Sequence, residues 1–139
     1  MASVLSPYLN FDGNALEAME FYRDALGGDL EINTYGEMGE TGPLKDKIMH
    51  SRLQTGAGFT IMASDLPPGM EHDPGQNVTL SITGQAADAE EIRGYWRRLS
   101  ESGTVTMPLE KQVWGDEFGS CIDRFGIPWM VDFGTEEPQ

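Results

Sequence analysis

Two halves of this chain run through the same order of elements, and that repeat limits the fold more than any other feature. An extended segment at 4–11, an amphipathic helix from Asn14 and extended segments at 30–35, 47–55 and 59–64 make the first half. The second half repeats them: 77–82, a helix from Asp88, then 104–109, 118–122 and 129–133. The period is roughly 70 residues, which points to a duplicated supersecondary module and not to a solenoid. Each module sets one helix against one face of a four-stranded sheet and leaves the other face to a partner module or a ligand. The expected class is α+β, built from two βαβββ modules that form curved antiparallel-rich sheets.

Local patterns support each element. In Val4–Phe11 the residues Leu5, Pro7, Leu9 and Phe11 alternate with Ser6, Tyr8 and Asn10, so one face is core and the other polar. Asn14 with Glu17 reads as a capping box, Gly27 as a helix stop, and Ala15, Ala18, Met19, Tyr22, Ala25 and Leu26 as the buried stripe. Asp88 with Glu91 repeats the cap, with Ile92, Tyr95, Trp96 and Leu99 as stripe and Gly103 as stop. Gly56-Ala57-Gly58 makes one hairpin turn and Asp123-Arg124-Phe125-Gly126 another. The latter hairpin is expected at an edge of its sheet. Gly36–Asp46 is a loop long enough for a rim or lid.

The one composition break is Leu66–Gln76, with three Pro and two Gly, read as a linker. A single domain over 1–139 is therefore expected, with modules at about 4–65 and 77–134 around a linker at 66–76.

Charge narrows the partners. The net charge of −14 comes from 23 acids and 9 bases, and both halves are acidic. No basic patch is available to a nucleic-acid backbone or an anionic membrane, so neither is an expected partner. The single Cys121 and a start without a basic flank or a long apolar run point to a cytoplasmic protein. No stretch approaches the roughly 20 apolar residues of a membrane span.

His50 is the first candidate for chemistry. It shares strand parity with Ile48 and Arg52, while Met49 and Leu53 take the other face and are expected under the helix. His50 would then face the cleft as a base or hydrogen-bond partner, with Arg52 orienting an anionic ligand group. The alternative is a structural His bonded to a neighbouring strand or a second copy. Tyr8, Asn10 and Thr79 stand on polar strand faces, and Trp114 and Phe118 offer flat walls for a cavity or contacts for a dimer. Tyr22, Tyr95 and Trp96 read as core, Cys121 as a small buried hydrophobe, and His72 as an exposed linker residue. Asp116, Glu117 and Asp123 fall near the cleft mouth without a role that spacing assigns.

Several runs carry a family resemblance: Pro7-Tyr8-Leu9-Asn10-Phe11-Asp12-Gly13-Asn14, Glu17-Ala18, Phe21-Tyr22, Lys45-Asp46-Lys47-Ile48-Met49-His50, and Trp114-Gly115 through Trp129-Met130. Over nearly its whole length the chain resembles the PhnB-like branch of the glyoxalase, bleomycin-resistance and extradiol-dioxygenase superfamily. The resemblance implies a paired βαβββ fold, a homodimer and a small-molecule cleft in each curved sheet. A demethylubiquinone methyltransferase label within that branch finds no support here, since no Gly-rich loop or doubly wound pattern is present to hold a methyl donor.

The superfamily's metal enzymes place a divalent ion in the cleft, and strand-by-strand matching puts those ligand positions at Ser6, Met62, Asn77 and Met130. Hydroxyl, amide and thioether donors offer little charge to a divalent ion. The expectation is a site without metal or cofactor, with His50 and a relocated ion as the alternative. A metal-free protein binding a small molecule is thus the leading reading. An enzyme, a lyase, isomerase or dioxygenase using His50 or a relocated divalent metal, is the second, and a structural role is a weak third.

Overall fold

A computed structural model of the chain describes residues 5–67, 70–72, 75 and 77–135. The chain divides into two compact units, Met1–Pro74 and Gly75–Gln139. Val4, where the first strand was expected to begin, and much of the expected linker lie outside the described residues.

In the first unit the order is β1 (Tyr8–Phe11), α1 (Ala15–Leu26), β2 (Asp29–Thr34), β3 (Ile48–Gln54) and β4 (Thr60–Asp65), with a short 3-10 turn at Gly36–Met38. The sheet order is β1-β4-β3-β2, β1 parallel to β4 and the other pairs antiparallel. The first strand is shorter than its alternation suggests. Pro7 has no N–H to give to a ladder, although its carbonyl still accepts the N–H of Met62 at 3.0 Å.

Helix α1 buries the whole stripe from Ala15 to Leu26 against β2, β3 and β4, where Leu53, Ile61 and Ala63 meet it. A fully buried Met or Leu contributes about 1.5–3 kcal/mol, so this stripe holds the unit together. Its cap differs from the sequence expectation. Asn14 makes no side-chain cap bond, and the Asp65 carboxylate, arriving from the end of β4, accepts the N–H groups of Gly13 and Ala15 at 2.9 Å each.

The second unit repeats the pattern with β5 (Leu80–Gly84), α2 (Ala89–Ser100), β6 (Thr104–Lys111), β7 (Glu117–Ile122) and β8 (Pro128–Phe133). Its sheet order is β5-β8-β7-β6, with β5 parallel to β8. The β7–β8 hairpin, expected at an edge, is therefore the centre of its sheet, because β5 and β6 flank it on either side. Asp123 shapes its turn by accepting the N–H groups of Phe125 and Ile127 and the indole N–H of Trp129.

Helix α2 packs Ile92, Tyr95 and Leu99 on β5, β7 and β8, while Trp96 is only half-buried. The expected Asp88 cap on α2 is replaced by one a turn earlier, where Gln85 and Asp88 close a capping box around a 3-10 turn. Strand β6 is exposed along nearly all its length, carries Pro108 and has two register breaks against β7, all features of an edge strand.

A shared device appears at the entrance to the second strand of each module. A Cβ on Gly28 would strike the carbonyl oxygen of Gln54, and one on Gly103 would strike that of Ile122. Backbone thus lies on backbone at equivalent points of both repeats.

Candidate functional site

Strand β3 decides which side chains leave the core of the first unit. Asn33 stands opposite His50 but Thr34 stands opposite Ile48, so Met49 is an extra residue in the ladder. A bulge of this kind reverses the alternation beyond it. Ile48 is consequently buried at 1% exposure while Met49 is half-exposed, the reverse of the parity expected from the sequence. His50 and Arg52 keep the parity expected of them, on the face opposite Leu53 and away from α1.

The register then assembles that face. Arg52 stands opposite both Met62 and Glu31, and Tyr8 stands on the other side of Met62. Asn10 faces Ser64. The Tyr8 and His50 rings lie 6.0 Å apart with planes tilted by 31°. Neither ring nitrogen of His50 has a hydrogen-bond partner among the described residues. Arg52 donates through Nη2 to Glu31 at 2.8 Å, while its Nε is buried without a partner. Just past β2, Tyr35 donates its phenol to the Asp65 carbonyl at 3.0 Å. Burial, then the charges of Asp65 and Tyr8, raise its pKa above the ordinary value. His72, expected to be merely exposed, reaches back so that Nε2 lies 3.1 Å from the Asn10 carbonyl.

Five of the sequence candidates, Tyr8, Asn10, His50, Arg52 and Met62, therefore share one sheet face. The others belong to the second unit and are less united. Met130 and Phe118 lie on the face of β8 and β7 that α2 leaves uncovered, opposite Ser120 and Asp132 respectively. Trp114, 57% exposed in the preceding turn, meets Phe118 edge-on at 6.3 Å. Asn77 and Thr79 precede β5 and are exposed, because that strand starts at Leu80 and not at Asn77; Val78, expected on the core face, is 66% exposed.

Sequence reasoning passed over Glu31 and Asp132. The alternation in β2 puts Glu31 on the same face as Asn33 and carried that information. The alternation in β8 likewise puts Asp132 on the face of Met130, but its pairing with Asp116 has no local signal. Burial first, then a hydrogen bond with Asp116 and the charge of Asp116, push its carboxyl up to about 6. Of the other carboxylates near the expected cleft mouth, Glu117 pairs with Arg93 and Asp123 is consumed by its turn. Burial, and then the charge of Asp123, push the Cys121 thiol up to about 11, so it is no nucleophile at neutral pH.

The resemblance assigns the superfamily's metal positions to four residues of this chain. Ser6, Met62, Asn77 and Met130 bring only neutral, weak donors. No group of three His, Cys, Asp or Glu side chains is arranged to hold a metal among the described residues.

A family model described as 3-demethylubiquinone-9 3-methyltransferase matches residues 3–132. The chain belongs to this PhnB-like family. Among solved structures, protein PA1353 from Pseudomonas aeruginosa is 38% identical with a TM-score of 0.82, covering 97% of this chain and 100% of that one. A Bacillus cereus PhnB protein, whose name couples PhnB to 3-demethylubiquinone-9 3-methyltransferase, is 24% identical at a TM-score of 0.73, covering 95% and 100%. A glyoxylase, bleomycin-resistance and dioxygenase domain from Frankia sp. EAN1pec is 14% identical at 0.66, covering 99% and 96%. The fold is thus that of the glyoxalase and bleomycin-resistance superfamily, with two mixed four-stranded sheets.

The methyltransferase wording in the family's description gains nothing from the geometry. The first strand-to-helix turn, where a doubly wound protein would bind a nucleotide, has its Gly13 and Ala15 N–H groups already taken by Asp65. Neither sheet is doubly wound. Among the described residues no helix is long and apolar enough to cross a membrane.

Proposed function

We propose that this chain binds a small organic molecule on the face of its first sheet that α1 leaves uncovered, without a metal ion or cofactor. His50 is the central polar contact, with Tyr8, Asn10, Arg52 and Met62 around it. The observation that carries this reading is the half-buried imidazole beside the Tyr8 ring with both nitrogens unpartnered among the described residues. Neither ring nitrogen is a buried orphan, so both stay open to a donor or an acceptor on a bound molecule. In the second module the ligand contacts are Phe118 and Met130 on the uncovered face, Trp114 beside Phe118, and Asn77 and Thr79 in the segment before β5. The working form is a cytoplasmic homodimer of two-module domains, and the net charge of −14 argues against nucleic acid or an anionic membrane as a partner.

The test is a fragment screen followed by imidazole-detected NMR. Ligands are expected to shift the His50 ring signals saturably, and His50→Ala is expected to weaken them at least about tenfold, a loss of 1.4 kcal/mol. Ligands that bind elsewhere and leave His50, Tyr8 and Arg52 signals unmoved would refute the assignment. The same unpartnered nitrogens favour one second reading, proton transfer by His50 to or from the bound molecule. A His50→Gln variant that still binds but no longer turns the molecule over would establish it.

A further inference from the structure

Glu31 and Arg52 carry more than a surface ion pair. The two residues are directly opposite across β2 and β3, on the face proposed to take the ligand. Glu31 holds Nη2 of Arg52 through one carboxylate oxygen at 2.8 Å and leaves Nε unpaired. Nε–H and Nη2–H project from the same edge of a guanidinium, the edge that a planar carboxylate takes with two parallel bonds. Half of that edge is therefore satisfied and half is not. Glu31 sits on an edge strand with its side chain 67% exposed, and an exposed pair of this kind contributes little to stability.

We propose that the molecule bound at this face is an organic carboxylate that takes the place of Glu31 on Arg52, and that Glu31 is a built-in competitor which withdraws to solvent when the ligand arrives. This rests on the ligand-binding reading above. The choice of an anion rests on Arg52. Of the residues that the register places on this face, Arg52 is the permanent cation, and Glu31 is the carboxylate that neutralises it. Elsewhere in the unit Arg23 pairs with Asp24 and Lys47 is bonded to the Gly13 carbonyl. In a chain of net charge −14, such a local cation offsets the general repulsion felt by a carboxylate ligand. A tethered Glu31 that already mimics the ligand group also excludes neutral molecules lacking a carboxylate, since only an anion can replace it on Arg52 without leaving the guanidinium unpaired.

The probes are benzoate and its neutral isostere benzamide, titrated into the full chain while the Arg52 Nε–H and His50 ring signals are followed by NMR. Benzoate is expected to move both signals saturably and to bind at least about tenfold more tightly than benzamide. Removing the competitor in Glu31→Gln and Glu31→Ala should tighten benzoate by about two- to fivefold, the range an exposed pair allows, and leave benzamide unchanged. Arg52→Lys, which keeps the charge but loses the two-pronged edge, should weaken benzoate. If benzoate binds wild type but either Glu31 variant weakens it, Glu31 orients Arg52 and does not compete, and the proposal fails. If benzamide matches benzoate at His50, the anion claim fails while the binding face stands. If neither probe moves a signal on this face, both readings fail together.

Discussion

The carboxylate of Asp65 accepts the N–H of Ala15 at 2.9 Å, so the last residue of β4 caps a helix that began 50 residues earlier in the chain. The same carboxylate also takes the N–H groups of Gly13 and Ile48, each at 2.9 Å, and is 2% exposed. Three parts of the unit meet in one side chain: the turn after β1, the start of α1 and the bulged end of β3. Removal would leave three backbone donors without their acceptor.

Asp65→Ala is therefore expected to destabilise the protein by about 3 kcal/mol or more, since a hydrogen bond to a charged group is worth about 1.5–3 kcal/mol and orphaned buried donors add to the loss. Asp65→Asn can keep the oxygen that serves Gly13 and Ala15 but turns an NH2 toward the N–H of Ile48, and should fall between Ala and wild type. Urea unfolding of the three proteins checks the order. Equal stability of wild type and Asp65→Ala would remove Asp65 from its structural role.

The backbone contacts at Gly28 and Gly103 predict a matched pair of defects. Alanine at Gly103 meets the carbonyl of Ile122 and should cost about 1–3 kcal/mol by overpacking. Alanine at Gly28 meets Gln54 at a backbone φ of +104° and should cost more, because strain in that region adds about 1–3 kcal/mol. Gly56, with open space around it, is the control and should stay within about 0.5 kcal/mol of wild type. A thermal-shift series that found Gly28→Ala as stable as Gly56→Ala would contradict the close approach.

The Asp132 carboxyl predicts a pH dependence of known sign. Its value of about 6 in the folded protein stands above the ordinary 3.8, through burial, the hydrogen bond with Asp116 and the charge of Asp116, in that order. Between those two values the folded state holds a proton that the unfolded chain has released, so this group adds stability as pH falls from about 6 toward 3.8 and opposes folding above about 6. Asp132→Asn should raise Tm at pH 7.5, with the gain shrinking as the pH is lowered to 5. A gain independent of pH would mean that Asp132 is not held protonated by its surroundings.

The repeat of strand, helix and three strands was legible in the sequence because it rests on local periodicities. Apolar residues of α1 and α2 recur at helical spacing, the strands alternate, and Gly marks the turns between them, so each element declares itself without its neighbours. His50 and Arg52, two apart on one strand, were assignable to a common face by the same rule. What the sequence could not carry is register. The extra residue Met49, which sends Ile48 beneath α1, exists only because β3 must pair with β2 on one side and β4 on the other. The Glu31–Arg52 pair depends on that pairing too, as does the placing of Asp65 under the start of α1. The same holds for the start of β5 at Leu80 and for the central position of the β7–β8 hairpin, both set by the parallel pairing of β5 with β8. Periodicity is a property of neighbours along the chain, whereas hydrogen-bond satisfaction across strands is a property of the assembled sheet, and the candidate site was decided by the latter.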